Sequence, residues 1–423
     1  MTGTRALHSN LPTEPAIAAG ESFGPRVLVF TTLFPNPEQP LRGVFVRHRI
    51  AAVARHCPTR VVAPILDHGR RWGRNRRARV HERQGDLEVS HPPYTTVPLL
   101  GRCTDGVMLY LQVLAHLRRI HAEFPFDVID AHYAFPDGAA ATLLAAHFHV
   151  PVAVTVRGGD LDLLPRFRLR RRAITRTLRR ADRIFAVSRH IAARAVELGA
   201  SPRSILVVPN GVDPATFSYS DSEAARRTLG APAGRPLLLC VANLLAEKGQ
   251  HVLIEALTRM AASAHEPHLV LIGSDPSPMH VYRRRLERLI ARHDLGHRIR
   301  LLGSVDQEVL PHWYRAADVL VLPTFREGSP NVVREALACG TPVVGSRVGG
   351  VPELVTSDEM GLLVEPGDAD GLARSLQEAL QRNWDRPTIA ARGGGRDWQS
   401  VGTMIGRELA RLAEHRPAAA EPF

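Results

Sequence analysis

Residues 319–355 read VLVLPTFREGSPNVVREALACGTPVVGSRVGGVPELV. Val319 to Leu322 are apolar and partly β-branched, which predicts a short strand buried on both faces. A turn containing Gly328 and Pro330 follows, and helical periodicity begins at about Asn331. Cys339-Gly340 ends that helix, and a second apolar strand opens after Pro342. A strand, a glycine-containing loop and a helix N-terminus in this order aim free backbone N–H groups and the positive end of a helix dipole at an anion. Two carboxylates stand eight residues apart, Glu327 in the loop and Glu335 about a turn and a half into the helix. There they can accept hydrogen bonds from hydroxyl groups beside the anion, so a ligand with both phosphate and sugar hydroxyls suits the site.

The same alternation of buried strand and amphipathic helix extends in both directions. Toward the N-terminus, strands are expected at 26–31, 59–65, 86–90, 128–131, 152–156, 183–187 and 205–208, with helices at 43–56, 107–121, 137–148 and 166–180. Ser188 is placed to cap a further helix. The second half restarts with strands at 237–241, 268–273, 300–302, 319–322, 343–345 and 362–364, separated by helices at 249–260, 281–293, 308–315, 331–338 and 369–381. This pattern predicts an α/β protein of two Rossmann-like, doubly wound parallel-sheet domains whose strand C-terminal ends face a shared cleft. The expected limits are a loose leader at 1–24, an N-terminal Rossmann-like domain at 25–213, a linker at 214–235, a C-terminal Rossmann-like domain at 236–395, and a final helix and tail at 396–423. Residues 67–79 hold six arginines and read as a solvated loop.

Composition narrows the function classes. The chain has 423 residues, of which 44% are hydrophobic, enough for two substantial cores. Its four cysteines, Cys57, Cys103, Cys240 and Cys339, lie far apart without metal-ligand spacing, so neither a disulfide framework nor a structural metal is expected. No apolar run approaches the ~18 residues of a spanning helix, and no secretory signal pattern opens the chain. A cytoplasmic protein is the expectation. The net charge of +12 is largely arginine. Basic patches interleaved with aromatics are absent, as are zinc-finger and RNA-recognition signatures, so nucleic acid is not an expected partner.

An ordered set of short motifs carries a family resemblance. Glu327-Gly328-Ser329-Pro330-Asn331 with Glu335-Ala336, Gly340-Thr341-Pro342-Val343-Val344, Gly349-Gly350-Val351-Pro352-Glu353 and Gly361-Leu362-Leu363-Val364 follow one another. Glu247-Lys248-Gly249, Ile272-Gly273 and Leu302-Gly303-Ser304-Val305 precede them. Together they resemble the family 4 retaining glycosyltransferases of the GT-B fold, whose second domain binds a nucleotide-sugar. The resemblance implies that Glu335 accepts hydrogen bonds from the ribose and Glu327 from the transferred sugar, with Gly328, Ser329, Pro330 and Asn331 contacting sugar and phosphate. Lys248 then offers its cation to the leaving diphosphate, where stabilising developing charge is commonly the largest catalytic contribution. Gly273 and Ser304 fall in loops that shape the base pocket. One position departs from the pattern: the family's arginine five residues before the lysine is Asn243 here. Arg326 and Arg347 are the candidates to replace its charge.

The N-terminal half is similar to a bacterial subgroup involved in cell-surface polysaccharides, through Thr32-Leu33-Phe34-Pro35-Asn36-Pro37 with Arg42-Gly43-Val44-Phe45-Val46, and through 130–138, 157–160 and 209–213. By resemblance, His132 at a strand end faces the cleft and hydrogen-bonds the donor sugar, and Gly43 lets the backbone approach the donor. Arg157 and Asp160 are candidates for phosphate or acceptor contact. Asp160-Leu161-Asp162 also spells a metal-binding DxD, which is read as coincidence at this position, so no metal ligand and no cofactor is expected; the nucleotide-sugar is a substrate. The acceptor implied is a glycan or a lipid-linked sugar. The basic helix Arg166 to Arg180 is a candidate for peripheral contact with anionic lipid at the inner face of the cell membrane, where each basic residue near the surface contributes about 1 kcal/mol. Two other readings stay open on the residues alone: a sugar-nucleotide epimerase of the same fold, and a non-catalytic nucleotide-sugar-binding subunit.

Overall fold

The computed structural model describes residues 24–67, 81–96, 103–231, 234–260, 266–277 and 279–415. The expected leader up to 23 and most of the arginine-rich loop lie outside the described residues. Two sheets organise the rest. The first runs, edge to edge, Ile205–Val207, Arg183–Ala186, Val152–Val156, Val128–His132, Val27–Phe30, Thr59–Val62, Leu87–Ser90 and His81–Gln84. All neighbours are parallel except the last pair, an antiparallel edge that the sequence reading did not anticipate. The second sheet is parallel throughout, in the order Ile299–Gly303, His268–Ile272, Leu237–Val241, Val319–Leu322, Val343–Ser346 and Gly361–Val364.

Each sheet is covered on both faces, and this accounts for the continuous apolar runs. Along Val319–Leu322, Val319 and Val321 enter one core while Leu320 and Leu322 enter the other. Along Val27–Phe30, Leu28 and Phe30 face one layer and Val27 and Val29 the opposite layer. A strand's two-residue period sends successive side chains to opposite faces, so a central strand needs apolar residues at every position.

Two segments fall outside the expected domain plan. Residues 214–235 contain the helix Ser222–Leu229, capped by Asp221, whose carboxylate accepts from the Glu223 N–H at 2.9 Å. Ala225 of this helix, together with Phe217, joins the second domain's core. The final helix Trp398–Glu414 returns to the first domain: Val401, Ile405 and Leu409 share a cluster with Val27, Val29 and Ile50. The chain therefore crosses between domains twice, and the crossings touch. Val212 N–H donates to the Arg396 carbonyl at 3.0 Å, and Val212 forms a β-bridge with Asp397.

Candidate active site

Between the two sheets lies a cleft of about 710 Å³. Its C-terminal wall is built mainly by two loops that follow the ends of Leu237–Val241 and Val319–Leu322 and lock onto one another. The turn Ala246–Lys248 leads into the helix Gln250–Arg259 through Gly249, at φ +71°. A Cβ on Gly249 would stand 1.9 Å from the Pro323 carbonyl oxygen, so only glycine lets this turn seat on the end of Val319–Leu322. The Glu247 carbonyl then accepts from Phe325 N–H at 2.8 Å and from Thr324 Oγ1 at 3.0 Å. Two ion pairs bridge the same loops, Lys248 with Glu327 and Arg326 with Glu247.

The helix Asn331–Ala338 begins at Pro330 with no side chain capping its N-terminus, and Ser329, Pro330, Asn331 and Val332 line the cleft. Unused N–H groups at a helix start favour an anion. Gly43, Asn243, Lys248, Gly273, Ser304, Glu327 and Gly328 also line the cleft, as does Arg157 from the N-terminal side. These expected site residues converge on one space. Of the two arginines considered as replacements for the charge missing at Asn243, Arg326 lines the cleft. Arg347 instead pairs with Glu365 at 3.4 Å, away from it.

Glu335 is half-buried about one turn further along this helix, beyond the residues that line the cleft. Its Oε2 accepts from the Tyr314 hydroxyl at 2.8 Å. Burial pushes its carboxyl up to about 7, and the Tyr314 hydrogen bond opposes that rise.

Three N-terminal expectations need correction or refinement. His132 ends its strand as expected but does not face the cleft: it is 0% exposed. Along Val128–His132, residues 128, 130 and 132 share a face, and Val128 of that face belongs to the core that contains Val27. The parity of the strand thus turns His132 inward. Its Nδ1 accepts from Arg157 Nη2 at 3.0 Å, which leaves the proton on Nε2, 3.4 Å from Asp130 Oδ2. Burial lowers the pKa of His132, with the Asp130 charge opposing.

Asp160 is also withdrawn from phosphate or acceptor contact. It is 0% exposed, and its carboxylate accepts from the N–H groups of Ala134 at 2.9 Å, Arg157 at 3.1 Å and Gly158 at 2.9 Å. It holds the loop that presents Arg157. Asp162 points elsewhere, with Arg194 Nε at 3.3 Å, so the two acids of the DxD do not converge. Among the described residues, no group of three His, Cys, Asp or Glu is placed to hold a metal ion.

Arg157 is a buried first-domain cation lining the cleft, as the exposed Arg42 also does. Its guanidinium stacks on Phe45 at 5.0 Å, and its Nη1 donates to Asn210 Oδ1 at 3.3 Å. Burial lowers its pKa to about 10, a range in which it remains a cation at neutral pH.

Motif reading gave no role to several residues that shape this wall. Tyr133 lines the cleft at φ +83°, a conformation that costs a non-glycine residue about 1–3 kcal/mol. Burial pushes its phenol up to about 12, so it stays a neutral donor. Asp137, fully buried, ties the loop after the first strand in place by accepting from Thr32 N–H at 2.7 Å and Thr32 Oγ1 at 2.9 Å. A polar residue just after a strand end is the available signal for Tyr133, whereas Asp137 lies beyond it in the turn Ala134–Gly138.

The two walls touch through backbone. A Cβ on Gly328 would stand 1.7 Å from the Arg157 carbonyl oxygen. Asn210 Nδ2 donates to Asn331 Oδ1 at 2.8 Å from the other domain.

Comparison with known proteins agrees with this architecture. Residues 70–216 match the family described as Glycosyltransferase Family 4, and residues 221–393 match Glycosyl transferases group 1. A D-inositol 3-phosphate glycosyltransferase of Geodermatophilus obscurus is 32% identical over 317 residues, covering 71% of this chain and 70% of its own. The putative teichuronic acid biosynthesis glycosyltransferase TuaC of Bacillus subtilis is 26% identical over 376 residues, covering 86% and 92%. Among solved structures, sucrose-phosphate synthase from Thermosynechococcus elongatus superposes with a TM-score of 0.76 at 24% identity, over 92% of this chain and 99% of that one. Anabaena HepE in complex with UDP-glucose superposes with a TM-score of 0.69 at 20% identity, over 91% and 99%. The fold is GT-B, and the chain belongs to the family 4, group 1 glycosyltransferases.

Proposed function

We propose that this glycosyltransferase moves a sugar from a nucleotide-diphosphate donor to a glycan or lipid-linked acceptor, with retention of configuration, in the synthesis of a bacterial cell-surface polysaccharide. The observation that carries the reading is the Lys248–Glu327 pair beside the uncapped start of Asn331–Ala338, facing Arg157 and Tyr133 across one cleft. The diphosphate lies against the helix start and Lys248, with Arg326 as the second cation in place of the charge absent at Asn243. Glu335 accepts from the ribose, and Glu327 from the transferred sugar. The acceptor enters along the first-domain wall, past Tyr133 and Arg157.

In the transfer, the bond from the sugar's anomeric carbon to the diphosphate oxygen breaks, and a bond to the acceptor oxygen forms on the same face. The acceptor's proton passes to the leaving phosphate oxygen. His132 acts from behind, holding Arg157. Closing the walls excludes water, which competes as an acceptor.

Lipid-linked acceptors fit a second feature. A groove of about 710 Å³ along Arg168–Arg180 is lined by Arg168, Arg171, Arg172, Arg176, Arg179, Arg180 and Thr175. Phe167 and Leu169 at the helix start are 55% and 56% exposed, and Leu163 just before them lines the cleft. No helix among the described residues is long and apolar enough to cross a membrane. Peripheral contact of the basic helix with anionic lipid at the cytoplasmic face would bring the cleft mouth to such an acceptor. Incubation with labelled nucleotide-sugars and cell-envelope lipids tests the function: label moving to lipid or glycan supports it, and isomerised donor without any acceptor replaces it with epimerisation.

A further inference from the structure

We propose that Glu353 is a positioning residue that latches the two domains closed by binding the N-terminus of a helix in the other half. The helix Arg189–Glu197 follows the strand Arg183–Ala186 of the first domain. Its N-cap, Ser188, satisfies one early amide itself, accepting from Ile191 N–H at 3.2 Å. The first two donors are taken from across the cleft: Glu353 Oε2 accepts from Arg189 N–H and Oε1 from His190 N–H, both at 2.9 Å. A carboxylate placed bidentately on a helix start gains charge-assisted hydrogen bonds and a favourable dipole interaction together.

The turn that carries Glu353 is built against the catalytic loop. A Cβ on Gly349 would lie 1.6 Å from the Glu327 carbonyl oxygen, and one on Gly350 would lie 2.4 Å from that of Gly328 and 3.2 Å from Ser188 Cβ. The Gly349-Gly350 turn is thus wedged between the Glu327-Gly328 backbone and the first domain, and engagement of Glu353 draws that loop toward Arg157. Within its own domain the carboxylate offsets the burial of Arg334, whose pKa burial lowers to about 10. The touching crossings at Val212 and Arg396 supply the pivot for that motion.

The inference rests on the two-domain cleft rather than on which sugar is transferred, so its outcome can be read even where no transfer is detected. Two variants test it. Glu353→Ala removes the acceptor. Arg189→Pro removes one donor at the first helical position, where proline is well tolerated, and Ser188 at φ −160°, ψ 164° is already extended as a pre-proline residue requires. Hydrogen exchange at residues 189–190 and the radius of gyration in solution are measured on the full chain, with far-UV circular dichroism as the folding control. Exchange of these amides at least ten-fold faster in Glu353→Ala, with a larger radius of gyration in both variants, is the expected result. Wild-type exchange in Glu353→Ala, or a wild-type radius of gyration in either folded variant, overturns the proposal. If Glu353→Ala fails to fold, Arg189→Pro decides alone.

Discussion

Replacing Gly328 by alanine isolates domain closure from every charged contact in the cleft. The added Cβ would sit 1.7 Å from the Arg157 carbonyl oxygen and 2.8 Å from its carbon. Ordinary contacts at such a site begin at 3.4 Å, so the walls must part by about 1.7 Å there (3.4 minus 1.7). The third close atom, Gly158 Cα at 3.3 Å, belongs to the same first-domain wall, and Gly328 is not among the glycines with positive φ, so the backbone itself accepts alanine. A misplacement of about 1 Å between reacting groups costs roughly 100-fold in rate. The expected loss in kcat is therefore at least about 100-fold, or about 2.7 kcal/mol of activation free energy. The thermal midpoint should stay within about 2 °C, because neither core is touched. The assay is nucleoside diphosphate release in the presence of acceptor, run beside a thermal melt. Turnover within three-fold of wild type would refute the reasoning, since the contact would then be irrelevant to the reacting geometry.

Four further outcomes follow from named residues. Lys248→Ala removes the cation beside the leaving diphosphate and leaves Glu327 without its partner; kcat should fall by about 100- to 1,000-fold, the usual cost of losing one transition-state donor, and donor titration by calorimetry shows whether binding survives. Glu335, raised to about 7, should give donor affinity that weakens as pH falls from 8 to 6, because the protonated carboxyl accepts poorly from ribose hydroxyls; Glu335→Gln should flatten that profile. The stability sign is the reverse. A carboxyl whose pKa rises on folding contributes stability below the ordinary carboxylate range and loses it as pH climbs through about 7, so the melting advantage of Glu335→Gln should grow over that window. Arg171→Glu with Arg176→Glu should abolish co-sedimentation with anionic vesicles while leaving transfer to a water-soluble acceptor unchanged, and equal sedimentation of variant and wild type would remove the membrane contact.

Much of the architecture was legible because it depends on periodicity. Buried strands such as Val319–Leu322 announce themselves when both faces need apolar residues, and the Glu247-Lys248-Gly249 turn is readable because close backbone approach demands glycine. The gaps arise where orientation or long-range packing decides. His132 was placed at a strand end correctly, but its facing followed from parity with Val128, which only the assembled core reveals. Asp160 looked like a ligand group because an acid in a loop carries no mark of the three backbone donors that enclose it. The Ser222–Leu229 helix carries cap residues, Asp221 and Gly230, but it is short and polar with a single buried residue, Ala225, so it shows no apolar periodicity. The destination of Trp398–Glu414 and the partner of Glu353 are contacts between segments more than 150 residues apart, which local pattern does not encode.

Retaining transfer from a nucleotide-diphosphate sugar is the reaction the cleft is proposed to perform. It is tested most directly by offering the full chain a panel of nucleotide-sugars with cell-envelope lipids and glycans, then reading the anomeric configuration of the product by NMR. Nucleoside diphosphate released one for one with a new glycoside of the donor's configuration is the expected result, with loss of both in Lys248→Ala. A product of inverted configuration, or undiminished transfer by Lys248→Ala, would contradict it.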